Sequence, residues 1–189
     1  AQSVVQKMPE HCAGRQPTGM VMAGTCLNNA PSVDCSSYSS LFSGEFPGQS
    51  AGKDVFQPRD TYLAFEFETQ KLSFNSGTLN FARPQFGTQA TGPRIVTISK
   101  CPGDFHQAKI EAEMGAGCYK RTDSIFGDLK WARKGETDAG CKLPNNGVFY
   151  YNILYTTQSE GTPPEQLRWQ CGSDTSQVRC RNNITPSFQ

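Results

Sequence analysis

Eight cysteines, Cys12, Cys26, Cys35, Cys101, Cys118, Cys141, Cys171 and Cys180, constrain this chain more than any other feature. Their number is even, no two stand in C-x-x-C spacing, and only two histidines accompany them, so disulfide bridges account for them better than zinc. Bridges persist only in oxidising surroundings, which predicts the periplasm, the cell surface or the extracellular space. Spacing cannot fix the connectivity of such a set. The short loops Cys171 to Cys180 and Cys118 to Cys141 are the expected pairs, and each bridge is expected to stabilise by roughly 2–4 kcal/mol.

With 189 residues the chain is long enough for one sizeable core and short for two. Residues 1–53 lack periodicity, are rich in Gly, Ser, Asn and Pro, and read as a loop-rich N-terminal extension or arm. Residues 54–189 read as the β domain. The net charge is +1, from 18 basic and 17 acidic residues that never gather into a run of one sign. The field that draws nucleic acid is therefore missing, and no nucleic-acid partner is expected. The longest mainly apolar run, Val148 to Tyr155, is far below the roughly 20 residues that cross a bilayer, so no transmembrane segment is expected. The opening Ala1-Gln2-Ser3 has no initiator Met and no apolar h-region, as in a secreted chain whose signal peptide is gone.

The pattern along the chain is that of short strands. Thr61-Tyr-Leu-Ala-Phe-Glu-Phe-Glu68 alternates apolar and polar positions as a half-buried strand does. Leu72 and Phe74 continue it, and after the turn signal Asn75-Ser76-Gly77 the pattern resumes at Leu79 and Phe81, which predicts a hairpin. Arg83 to Gly92 reads as a loop. The β-branched run Arg94-Ile-Val-Thr-Ile-Ser99 is a strand ended by Pro102-Gly103-Asp104. Gln107 to Met114 fits a strand and a short helix equally well. Ile125 to Trp131 reads as a strand, and so does Val148 to Tyr155, which is apolar or aromatic on both faces and should be central. Gly19 to Ala23 reads as a short strand, Ser36 to Phe42 as a single helical turn, and Gln166 to Gln170 with Gln177 to Cys180 as the last pieces. About nine short strands without an amphipathic helix predict an all-β, disulfide-stapled β-sandwich, jelly-roll-like, with the loop-rich extension in front.

The order Leu41-Phe42, Phe46-Pro47-Gly48, Tyr62-Leu-Ala, Ile98-Ser-Lys-Cys-Pro-Gly-Asp-Phe105, Leu129-Lys-Trp131, Cys141-Lys-Leu143 and Tyr150-Tyr-Asn152 resembles a module of secreted proteobacterial proteins without an assigned function. The resemblance covers residues 40–180, and the run ending in Cys101-Pro-Gly-Asp-Phe105 is its most specific part. It implies export and a β-rich fold, and it brings no catalytic residues.

Candidate chemistry is sparse. Gly48-Gln-Ser-Ala-Gly52 matches the G-x-S-x-G nucleophile elbow, but its flanks offer neither the strand before nor the helix after that the motif needs. A flexible loop is the simpler reading. Glu66 and Glu68 share a strand face at roughly 7 Å, within the range of glycosidase carboxylates. A solvated charge row explains them as well. His106 stands beside a surface turn, where a ligand or acid/base role competes with that of an ordinary surface histidine. Asp104, after Pro-Gly, is suited to accept hydrogen bonds from its own turn. Its functional alternative is a loop ligand for calcium, the one possible cofactor in a chain otherwise expected to carry none.

Aromatics are the better lead: Trp131, Tyr150 and Trp169, with Asp104, are the expected binding residues. A flat aromatic row on a β-sandwich stacks on sugars or anchors a protein. The expected protein is thus an exported, non-catalytic binding or structural component of the cell surface or extracellular space, engaged in adhesion to a glycan or an extracellular protein. Self-assembly into a filament, with residues 1–20 as an arm, belongs to the same expectation. A secreted hydrolase of polysaccharide or peptidoglycan is the alternative.

Overall fold

The structure, a computed structural model, describes residues 10–23, 53–69, 76–82, 92–123, 126–133, 135, 140–173, 175–176 and 179–188. Within these, the strands are β1 (Val21–Ala23), β2 (Lys53–Pro58), β3 (Thr61–Glu68), β4 (Ser76–Ala82), β5 (Arg94–Ser99), β6 (Tyr119–Thr122), β7 (Phe126–Arg133), β8 (Cys141–Leu143), β9 (Val148–Tyr155) and β10 (Arg179–Phe188). One helix, α1 (Gln107–Met114), and 3-10 turns at Glu10–Cys12 and Pro164–Gln166 complete the described elements.

The strands form two five-stranded sheets, ordered β1-β3-β9-β5-β6 and β2-β10-β4-β7-β8. Pairing is antiparallel except at one flank of each sheet, where β1 runs parallel to β3 and β8 parallel to β7. Those two flanking strands are three residues long. Short edge strands of this kind leave little ladder for another chain to extend.

β9 is the middle strand of its sheet, with Ile153 opposite Leu63 on one side and Val96 on the other. Its aromatic and β-branched composition suits a pleated surface buried on both faces. All its residues after Val148 are buried, and β5 beside it is buried throughout. One face of this sheet turns toward the second sheet: the Tyr151 hydroxyl donates to the backbone oxygen of Leu129 in β7 at 3.2 Å. Arg133 of β7 reaches back to the Thr69 oxygen at 2.7 Å, and Lys120 of β6 pairs with Asp128 of β7 at 2.8 Å. The opposite face carries Tyr62, Ala64, Ile95 and Leu154, covered by Phe105, Leu167 and Trp169.

Three disulfides tie described segments together: Cys12 to Cys101, Cys118 to Cys141 and Cys171 to Cys180. The last two are the pairs expected from loop length. The Cys118–Cys141 bridge joins the entry of β6 in one sheet to β8 in the other. Close approach there needs glycine: a Cβ on Gly117, whose φ is +97°, would lie 2.9 Å from the Gly140 oxygen. Cys26 and Cys35 lie outside the described residues.

Several expectations change. The hairpin around Asn75-Ser76-Gly77 does not form with Leu79 and Phe81, because both flanks of β4 are taken, by β10 and by β7. Ser76 and Gly77 are strand residues, not turn; Leu72 and Phe74 lie outside the described residues. Gln107 to Met114 is helical. Residues 167–170 form no strand, and the last strand runs on to Phe188. The helical turn at Ser36 to Phe42, the G-x-S-x-G loop and most of the Arg83 to Gly92 loop lie outside the described residues.

Candidate functional site

The site grows from the end of β5. Pro102 has no amide hydrogen to give a ladder and Gly103 turns left-handed at φ +72°, so the strand stops, and the polar residues of the sheet determine where the chain goes next. Thr97, Ser99 and Asn152 lie side by side on one face, since Thr97 and Asn152 are register partners on β5 and β9. All three are buried. The Asn152 amide donates to Thr97 Oγ1 at 2.9 Å and to Ser99 Oγ at 2.7 Å. Those hydroxyls donate in turn to the backbone oxygens of Asp104, at 2.8 Å, and Cys101, at 2.6 Å. The Gly103 amide closes the set on Asn152 Oδ1 at 2.8 Å. The turn thus lies flat on the sheet with its buried polar groups paired, as burial requires.

Packing fixes the same turn from the other side. Gly103 has φ +72°, and a Cβ there would come within 2.5 Å of the Tyr62 ring. Tyr62 meets Phe105 edge to face at 6.0 Å.

The N-terminal segment is laid over this turn. Cys12 is bonded to Cys101, and Gln16 Nε2 donates to the oxygens of Cys12, at 3.0 Å, and Pro102, at 2.8 Å. Arg15 Nη1 reaches Asp104 Oδ2 at 3.2 Å and Glu113 Oε1 at 2.6 Å. Beyond it, β1 joins the flank of β3. Residues 10–23 are therefore held on the sheet that they flank, while the rest of the expected extension or arm, residues 1–9 and 24–52, lies outside the described residues.

Between these parts lies a polar cleft of about 330 Å³. Gly14, Arg15, Gln16 and Thr18 form one wall, Asp104, His106 and Lys109 a second, and Pro164 and Glu165 a third. Asp104 is 2% exposed. Burial pushes its carboxyl above the ordinary aspartate value, against the opposing pull of the His106 amide and the Arg15 guanidinium. Its Oδ1 accepts the His106 amide at 3.1 Å while Oδ2 holds Arg15. Both carboxylate oxygens are engaged, so Asp104 holds the corner together.

Of the residues expected to bind, only Asp104 lines this cleft. Trp131 is 3% exposed, Tyr150 7% and Trp169 9%, so the flat aromatic row expected on the surface is interior. The reason is topological: β7 and β9 are inner strands, and Trp169 belongs to the cluster covering the Asn152-bearing face of the sheet. The Trp169 indole nitrogen has no hydrogen-bond partner among the described residues. Glu66 and Glu68 are on β3, but their side chains lie outside the described set. Among the described residues one group could approach a common metal ion, His11 with Cys12 and Cys101. Those two sulfurs are bonded to each other, so no thiolate is available.

Sequence reading missed Arg15, Gln16, Lys109 and Glu165, which come together only through the Cys12–Cys101 bridge and the loop after β9. Asn152 had a visible signal: it is the one strongly polar residue in the run from Val148 to Tyr155. Among the described residues no helix is long and apolar enough to cross a membrane. No family model matches the chain, and no curated protein matches it.

Proposed function

We propose that this is an exported binding protein of the cell surface or extracellular space, a β-sandwich of jelly-roll type whose cleft at the Cys12–Cys101 corner holds a glycan. The observation that carries the reading is the convergence of three separate segments on one polar cleft, fixed by a disulfide and by the pairing of half-buried Arg15 with buried Asp104. Such a site is preorganised, so little ordering cost falls on binding. Its donors and acceptors, on Lys109, Thr18, Glu165 and the exposed edge of His106, suit hydroxyl-rich ligands.

Three bridges among the described residues favour an oxidising compartment. The Tyr151 to Leu129 hydrogen bond and the Cys118–Cys141 bridge favour face-to-face packing of the sheets. Binding is preferred to catalysis because Asp104 has both oxygens occupied. Filament formation is not part of this reading, because the described part of the N-terminal segment, residues 10–23, is held by the Cys12–Cys101 bridge and by β3.

A glycan array probed with the labelled wild type and with Lys109→Glu and Glu165→Lys tests this. The expected result is a small set of bound glycans whose signal falls at least tenfold in the variants while their thermal unfolding is unchanged. An array without hits, or hits that both variants keep, sinks the reading.

A further inference from the structure

His106 caps α1 in an unusual way. Preferred N-caps are Ser, Thr, Asp and Asn, which accept through oxygen. Here the acceptor is a ring nitrogen: His106 Nδ1 takes the amide hydrogen of Lys109 at 3.2 Å. An imidazole nitrogen accepts only while it carries no proton, so this contact selects the neutral ring with its hydrogen on Nε2. Proton and cap compete for one lone pair.

The surroundings make that competition matter. The backbone of the same residue is held by Asp104, and Arg15 links Asp104 to Glu113 near the other end of the helix. The cap itself depends on the ring. Buried contact cannot replace it, because Ile110 is the only residue that α1 buries. The charged groups that line the cleft with the ring are Arg15 from the N-terminal segment, Asp104 from the turn, Lys109 from the helix and Glu165 from the turn after β9, with Glu113 paired to Arg15 further along the helix. A protonated ring would add a third cation to the cleft that Arg15 and Lys109 already line.

We propose that His106 is a proton-operated cap, which in its neutral form closes the first turn of α1 and shapes one wall of the cleft, and on protonation releases the Lys109 amide and loosens that wall. The switch needs only proton binding at Nδ1, the atom that accepts the Lys109 amide. That it regulates ligand binding rests on the cleft being the binding site; the switch itself does not.

The test is an NMR titration of the full chain, without ligand, across the imidazole range. The expected result is a His106 ring with its hydrogen on Nε2 at the upper end, and amide signals of Gln107 to Ile110 that move with the midpoint of that ring. Protection of the Lys109 amide from exchange, corrected for intrinsic rates, should fall roughly fivefold as the ring is protonated, the effect of losing a typical cap. His106→Asn supplies a cap that does not titrate: it should keep the helix and abolish the transition. A hydrogen on Nδ1 in the neutral ring, or a Lys109 transition that survives in His106→Asn, overturns the proposal. The glycan array reads none of these signals, so failure of the switch and failure of the binding reading are separately visible.

Discussion

The backbone amide of Gly103 donates to the carboxamide oxygen of Asn152 across 49 positions of sequence, at 2.8 Å and out of contact with water. One side chain of the central strand thereby holds down the turn on which the whole corner is built.

Replacing Asn152 tests that role. Asn152→Ala strands the Gly103 amide and removes the donor to two buried hydroxyls. Each buried group left unpaired costs about 1–3 kcal/mol, so a loss of roughly 3 kcal/mol in urea unfolding is expected, with an unchanged denaturant slope. Asn152→Leu should be no better, because the hydroxyls of Thr97 and Ser99 remain.

Gly103→Ala probes the same turn from the packing side. The left-handed backbone at φ +72° costs a non-glycine residue about 1–2 kcal/mol, and the new methyl must displace the Tyr62 ring. A combined loss of about 2–4 kcal/mol is expected from thermal or urea unfolding, against about 1–2 kcal/mol for Gly135→Ala, where φ is +98° but a Cβ meets nothing within 4 Å.

Removing the bridges one pair at a time should rank them by the loop that each closes. The chain-entropy relation gives about 4.6 kcal/mol for Cys12–Cys101, separated by 89 residues, about 3.4 for Cys118–Cys141, separated by 23, and about 2.6 for Cys171–Cys180, separated by 9. Serine double variants followed by calorimetry should lose stability in that order. The first should also lose the cleft, because its wall at residues 14–18 is tied down by that bond.

Alkali should unfold the protein through its tyrosines. Burial raises the phenols of Tyr62 and Tyr151 well above the ordinary value and pushes Tyr119 up to about 12. A raised folded value means that the native state keeps the proton longer than the unfolded chain does. The stability linked to these groups is thus complete below pH 10 and declines above it, by about 1.4 kcal/mol per pH unit for each fully protected tyrosine. In an absorbance titration, Tyr62, Tyr119 and Tyr151 should resist ionisation until the fold is lost, and then ionise together.

The strands were legible where one residue type dominated. Thr61–Glu68 and Val148–Tyr155 match the periodic runs end for end, because alternation and β-branching are local properties. The Cys118 and Cys171 pairings were legible because short loops close easily. α1 was ambiguous because it is eight residues long and buries only Ile110, so its limits are set by the caps at His106 and Gly115, not by an apolar stripe. The hairpin failed because occupancy of both flanks of β4 is a long-range fact. The binding residues were legible least. An aromatic residue reads alike in a core and on a surface, and nothing local to Trp131, Tyr150 or Trp169 tells the two apart; the inner places of β7 and β9 do. Arg15, Lys109 and Glu165 are unremarkable singly and meet only after folding.

The most direct test of the cleft is a map of backbone amide shifts in the labelled wild type as glycan pools of cell-surface type are added. Shifts confined to residues 14–18, 104–109 and 164–165 are the predicted result. Saturable shifts centred elsewhere, for example on β7 and β10, or none with any pool, would contradict it.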